Sequence, residues 1–135
     1  MTDTDTRRPA TTSTPLRVLQ ASAALSVLTL LLQFVTAGRL LPAEPAESLV
    51  QIHAAGALVL HVVAFVAVAA AFWMYRKASA PVSLPVLAAV VLAAGFVQAY
   101  YGNRDTMWAH IPGAMVLTVG TVWLLIWSLR PTSRA

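Results

Sequence analysis

Four stretches of apolar residues, each long enough to cross a lipid bilayer, dominate this 135-residue chain. A bilayer core needs about 20 apolar residues per helix, and the stretches that qualify lie at about 16–37, 52–75, 84–101 and 109–129. With 59% hydrophobic residues, 10% charged residues and a mean hydropathy of +0.73, the composition is that of a membrane protein. The sequence therefore predicts an all-α fold, an integral membrane four-helix bundle.

The chain is short enough to form one domain. We predict a transmembrane domain over residues 16–130, between a disordered cytoplasmic N-terminal tail (1–15) and a short cytoplasmic tail (131–135). Most basic residues fall on one side of the predicted membrane, namely Arg7, Arg8, Arg17, Arg76, Lys77, Arg130 and Arg134. The positive-inside rule therefore places both termini in the cytoplasm of a bacterium, with the bundle in its cytoplasmic membrane.

An internal repeat divides the four spans into two hairpins. The pattern H-x-x-G-A-x-V-L occurs at 53–60 and again at 110–117, at the start of the second and fourth spans. A weaker repeat ends the first and third spans, where Gln33 precedes Arg39 and Gln98 precedes Arg104. The bundle is thus predicted to be a duplicated two-helix hairpin with a pseudo-twofold axis along the membrane normal.

The duplication places His53 and His110 at similar depth in the outer half of the bilayer, facing each other. Ionisable residues inside a membrane mark a functional site by default. The iron of haem b takes one neutral imidazole on each face of the ring. Small residues three and four positions after each histidine would leave room for a flat macrocycle: Gly56, Ala57, Gly113 and Ala114. The sequence therefore predicts a haem b whose iron is bound by His53 and His110.

Polar and small residues continue along two of the other helices. One face of the first span carries Ser22, Ser26, Thr29, Gln33 and Thr36, and the third span carries Gly95, Gln98 and Gly102. Gln33 and Gln98 would hydrogen-bond the imidazoles or line the pocket, or else join neighbouring helices. Arg39 and Arg104 would pair with haem propionates, or else contact lipid headgroups.

The third histidine, His61, breaks the repeat, because Thr118 holds the equivalent position. It lies about 12 Å deeper than His53 and roughly 80° round the helix. It would contact the edge of the cofactor, serve a second site, or hydrogen-bond a neighbouring helix, and we favour the last of these.

Several chemistries lack the residues they need. The chain has no cysteine, which excludes disulfides, thiolate metal sites and covalently attached haem. The acidic residues all lie outside the spans, so a carboxylate proton relay or a buried cation site has no ligands. The lysines and arginines are scattered at the segment ends, so the net charge of +4 does not indicate nucleic-acid binding.

The segments 33–39 and 98–104, each followed by a histidine at the next span, resemble one four-helix half of the haem A synthase family. They also resemble small four-helix bacterial membrane proteins with a similar histidine pattern. The resemblance covers about residues 16–129. In haem A synthases each half-bundle holds a haem between histidines of its second and fourth helices, which correspond to His53 and His110.

One departure from that family bears on catalysis. Haem A synthases carry a Glu three residues before the first histidine and an Arg just after it, where this chain has Val50 and Ala54. The departure argues against synthase chemistry and leaves open whether the chain is an enzyme. Two histidine ligands would leave no open position on the iron, which favours electron transfer or haem handling over oxygen chemistry. We therefore predict a protein similar to b-type cytochromes, with the lipid bilayer and possible partner membrane subunits or quinol as its partners.

The competing interpretation is a cofactor-free accessory membrane subunit whose histidines are interhelical hydrogen-bond partners. A carrier of haem or of another small molecule is a third.

Overall fold

The computed structural model describes residues 13–41 and 44–130, apart from the side chain of Arg104. These residues form four α-helices: α1 (Thr14–Arg39), α2 (Glu47–Arg76), α3 (Ser83–Tyr100) and α4 (Met107–Leu129). A short 3₁₀ turn, Arg104–Thr106, leads into α4. All four helices are long and apolar enough to cross a membrane. The predicted all-α membrane bundle is therefore confirmed.

Most helices extend beyond the predicted spans. The first helix begins at Thr14, with Pro15 in its first turn, where the missing N–H costs no helical bond. The second begins at Glu47 rather than 52, because hydropathy marks the hydrocarbon-facing stretch while backbone hydrogen bonding continues into the polar interface. Of the two predicted tails, residues 1–12 and 131–135 lie outside the described residues.

Each helix packs against two others. Helix α1 contacts α2 and α4, and α3 contacts the same two helices. In the described chain, neither α1 and α3 nor α2 and α4 bring Cα atoms within 8 Å of each other. The helices therefore stand at the corners of a bundle, with α2 and α4 on one diagonal. We call the end that carries the α2–α3 connection the inner end, and the opposite end the outer end.

Small residues let the helices approach closely at the inner end. The core cluster there consists of Leu19, Ala23, Ala67, Ala70, Ala71, Met74, Leu84, Ala88 and Leu124. A second cluster towards the outer end contains Leu30, Leu60, Val91 and Leu117. Alanine-rich contacts are typical of helix packing in membranes, where close approach rather than burial from water drives association.

The polar face of α1 points into the bundle, as predicted. Its hydroxyl-bearing side chains are only 3–7% exposed: Ser22, Ser26, Thr29 and Thr36. By contrast, large apolar side chains cover the outside of the bundle, among them Leu28, Phe65, Phe96 and Val119. Polar side chains inside the bundle and apolar side chains outside it suit a lipid environment. The polar face of α1 extends to Thr36 at the outer end of the bundle, where the candidate site lies.

Candidate functional site

The two predicted ligand histidines lie on diagonal helices at the outer end. His53 is in the second turn of α2, and His110 is in the first turn of α4. Both side chains are half-buried. The structure thus brings both histidines to the same end of the bundle.

A threonine of the neighbouring helix holds His53. Its Nδ1 lies 2.8 Å from the Thr36 hydroxyl oxygen. The Thr36 hydroxyl oxygen also lies 3.0 Å from each of the carbonyl oxygens of Leu32 and Gln33. When the hydroxyl donates its one proton to either carbonyl, its oxygen accepts from Nδ1–H of His53. In that arrangement Nε2 is the imidazole nitrogen left for another partner.

Gln98 holds His110 through two contacts. The Nδ1 of His110 lies 3.0 Å from the Gln98 carbonyl oxygen. A carbonyl only accepts, so the imidazole donates from Nδ1 and carries its lone pair on Nε2. The Gln98 side-chain nitrogen lies 3.3 Å from this Nε2 and donates a long hydrogen bond to it. Both histidines thus have Nδ1 within hydrogen-bond distance of an oxygen on a neighbouring helix.

The two glycines of the repeated motif, Gly56 and Gly113, each pack against the glutamine side chain of their own hairpin. A Cβ added at Gly56 would come within 2.8 Å of the Gln33 side-chain nitrogen, and one added at Gly113 within 2.7 Å of the Gln98 side-chain oxygen. Gln33 also donates to the backbone carbonyl of His53 at 2.9 Å. The missing side chains thus make room for glutamines in this structure, in the same way in both repeats.

Of the two predicted imidazole partners, Gln98 bonds the ring itself, whereas Gln33 bonds the His53 backbone and leaves the ring to Thr36. The sequence indicated that Thr36 faces inward, one turn beyond Gln33, without identifying its partner. The ring of His110 also lies against Gly102, where an added Cβ would come 3.5 Å from Cε1. The inward-facing polar stripe was the signal available for both residues.

The two motif alanines accept hydrogen bonds from equivalent positions of the repeat. The Nδ1 of His61 donates to the Ala57 carbonyl at 2.6 Å, and the Thr118 hydroxyl donates to the Ala114 carbonyl at 2.7 Å. The expectation that His61 bonds a neighbouring helix is therefore wrong. The Ala57 carbonyl lies one turn earlier on the same helix, within hydrogen-bond distance of the His61 ring.

The predicted arginines contribute less to the described site. Arg39 is the last residue of α1, and its side chain is exposed. Arg104 begins the 3₁₀ turn, and its side chain lies outside the description. In the part of the chain that the structure describes, no three His, Asp or Glu side chains come together as a metal-binding group.

Comparison with protein-family models, with curated proteins and with solved structures gives no match to this chain.

Proposed function

We propose that the protein binds one haem b between His53 and His110 near the outer end of the bundle and transfers electrons through it. The observation that carries the proposal is the position of Nδ1 in both histidines, which lies 2.8 Å from the Thr36 hydroxyl oxygen in His53 and 3.0 Å from the Gln98 carbonyl oxygen in His110. Histidines that bind a metal through one ring nitrogen usually have the other nitrogen fixed by a hydrogen bond of this kind.

The residues around the two histidines fit a haem only after a local rearrangement. Gln33 and Gln98 fill the space above Gly56 and Gly113, where the macrocycle would pack. Both contacts involve the far ends of flexible side chains, which can turn away at small cost. The oxygen of the Gln98 side chain is buried without a hydrogen-bond partner in the described chain, so this glutamine loses only the long bond to His110.

Haem, if bound, would be held by His53 and His110 and would supply a one-electron redox couple. This chain's own residues orient the two imidazoles, through Thr36 for His53 and Gln98 for His110. The exposed Arg39 is available to an anionic group such as a propionate. Quinol or a partner membrane subunit remains the proposed source or acceptor of electrons.

An absorption spectrum of the detergent-solubilised protein, oxidised and then reduced, tests this function. After expression with ample haem, we expect a Soret band and the sharp reduced bands of a six-coordinate b-type haem. His53→Ala and His110→Ala should each abolish the six-coordinate spectrum, and added imidazole should restore it. His61→Ala is the matched control and should leave the spectrum unchanged. A wild-type protein without a Soret band rejects the proposal.

A second candidate, a cofactor-free accessory subunit, is favoured by one observation. Both histidines already make hydrogen bonds between helices, His53 to Thr36 of α1 and His110 to Gln98 of α3. Such bonds between membrane helices contribute about 0.6 kcal/mol each on average. Under this alternative, purified protein has no haem band, and His53→Phe or His110→Phe weakens association with a partner subunit through loss of bundle stability.

A further inference from the structure

A small cavity lies at mid-height in the bundle, separate from the outer-end histidines. Its volume is about 10 Å³, and all four helices contribute to its wall. Polar groups in the wall come from Ser26 of α1, His61 of α2 and Thr121 of α4, with Gly95 of α3 opposite. One water molecule needs about 10–15 Å³ of such space and two to four polar partners. The cavity therefore matches a single water in size.

Ser26 supplies a hydrogen-bond donor that has no acceptor among the described residues. Its side chain is 3% exposed, and its Oγ is buried without a partner in the described chain. Its neighbours on the same helix differ, since Ser22 donates to the Val18 carbonyl and Thr29 to the Leu25 carbonyl, both at 2.8 Å. A buried hydroxyl that does not use its own helix in this way needs another partner.

His61 supplies a hydrogen-bond acceptor that also has no partner among the described residues. Its Nδ1–H is committed to the Ala57 carbonyl at 2.6 Å, which leaves the lone pair on Nε2. This Nε2 is buried and has no partner among the described residues. The Phe96 ring, 4.3 Å away between centroids, covers the imidazole. An unbonded nitrogen in an apolar interior is unfavourable, because it has lost its hydrogen bonds to water without replacement.

Thr121 supplies a second acceptor. Its side chain is 1% exposed, and its hydroxyl donates to the Leu117 carbonyl at 2.8 Å. The hydroxyl oxygen keeps a free lone pair after this bond is made. One donor and two acceptors on three different helices thus line one water-sized cavity.

We propose that a single water molecule binds between Ser26, His61 and Thr121 and joins α1, α2 and α4 at mid-height in the bundle. It accepts from the Ser26 hydroxyl and donates one proton each to Nε2 of His61 and to the Thr121 hydroxyl oxygen. All three groups then have hydrogen-bond partners. The site does not depend on haem binding.

NMR on protein labelled with ¹⁵N-histidine, in detergent micelles, tests this site. The chain has three histidines, and His61→Gln identifies the His61 signals by their loss. In the wild type we expect magnetisation transfer from water to the His61 ring protons, together with the ¹⁵N shift of an Nε2 that accepts a hydrogen bond. The double variant Ser26→Ala/Thr121→Val should lose both signatures.

The matched control is Ser22→Ala/Thr118→Val, which makes the same chemical changes on the same two helices. Both of these hydroxyls already bond their own helix, so the control should keep both signatures. Unchanged His53 and His110 ring signals show that each variant is folded. An unbonded Nε2 in the wild type, a direct Ser26–His61 bond without water, or a water signal that survives in the first double variant would each overturn the proposal.

Discussion

All three histidines have Nδ1 within hydrogen-bond distance of an oxygen. The oxygens are the Thr36 hydroxyl for His53, the Ala57 carbonyl for His61 and the Gln98 carbonyl for His110. A neutral imidazole so fixed offers one defined lone pair to its surroundings. The protein thus controls which nitrogen each histidine presents, whether to a metal, to a water or to a neighbouring side chain.

The substitution Thr36→Val tests whether the Thr36 hydroxyl fixes the ring of His53. The substitution keeps the shape of the side chain and removes the acceptor for Nδ1–H, which then remains unpaired between α1 and α2. We expect the free energy of unfolding of the haem-free protein to fall by about 1 kcal/mol. Unfolding in mixed detergent micelles, followed by circular dichroism, gives the value.

Thr29→Val provides the comparison. Thr29 lies on the same helix, is similarly buried, and donates only to its own Leu25 carbonyl. We expect this variant to lose clearly less stability than Thr36→Val. Equal losses for the two variants would mean that the contact between Thr36 and His53 contributes nothing beyond packing.

The repeat singled out the histidine and glycine pairs because it shows them twice, and the structure places both histidines at the same end of the bundle. It did not find the partner of the His53 ring, since whether Gln33 or Thr36 reaches that ring depends on how α1 is rotated against α2. It was wrong about His61, where a carbonyl of the same helix competes successfully with every neighbouring helix. Rotation and local competition are set by packing, which spacing along the chain does not determine.

At the scale of the elements, hydropathy located all four helices and misplaced several of their ends. Pro112 shows the consequence of such an error. The predicted span, 109–129, places Pro112 in the first turn of the helix, whereas α4 begins at Met107, so that Pro112 lies inside the helix. The N–H that proline lacks would otherwise bond the carbonyl of Trp108. Trp108 is the second residue of α4, so the missing bond falls at the outer end of the helix, near the predicted polar interface.

The end of α2 carries a backbone feature that predicts a stabilising substitution. Ala78 has φ of 52°, in the left-handed region. Its N–H donates to the Tyr75 carbonyl at 2.9 Å, and that of Ser79 donates to the Met74 carbonyl at 3.0 Å. This is the Schellman arrangement, in which glycine is the preferred residue at the position of Ala78. Ala78→Gly should raise the free energy of unfolding by about 0.5–1 kcal/mol.

Chemical unfolding in detergent measures this change. Ala69→Gly, at an exposed position inside α2, is the control and should lower stability, because glycine weakens a helix interior. If Ala78→Gly proves as destabilising as Ala69→Gly, the left-handed turn does not form at the end of α2.

At the scale of the whole molecule, the two ends of the bundle are built differently. The inner end packs on alanines such as Ala23, Ala70 and Ala71, which are 0–3% exposed. The outer end instead packs flexible glutamine side chains against glycines. A rigid inner end and an adaptable outer end would allow a flat ligand to enter between α2 and α4 without separating the helices elsewhere.

The orientation of the bundle gives the last prediction. Arg17, Arg76 and Lys77 lie at the inner end, and the positive-inside rule places that end in the cytoplasm. Because the chain has no cysteine, single cysteines introduced at exposed positions report the side directly. A membrane-impermeant maleimide should label Glu44→Cys, between α1 and α2, in intact spheroplasts. It should label Val82→Cys, between α2 and α3, only after the membrane is permeabilised, while the parent protein stays unlabelled in both conditions. The reverse pattern would put His53 and His110 on the cytoplasmic side, and the proposed electron acceptor would then have to be cytoplasmic as well.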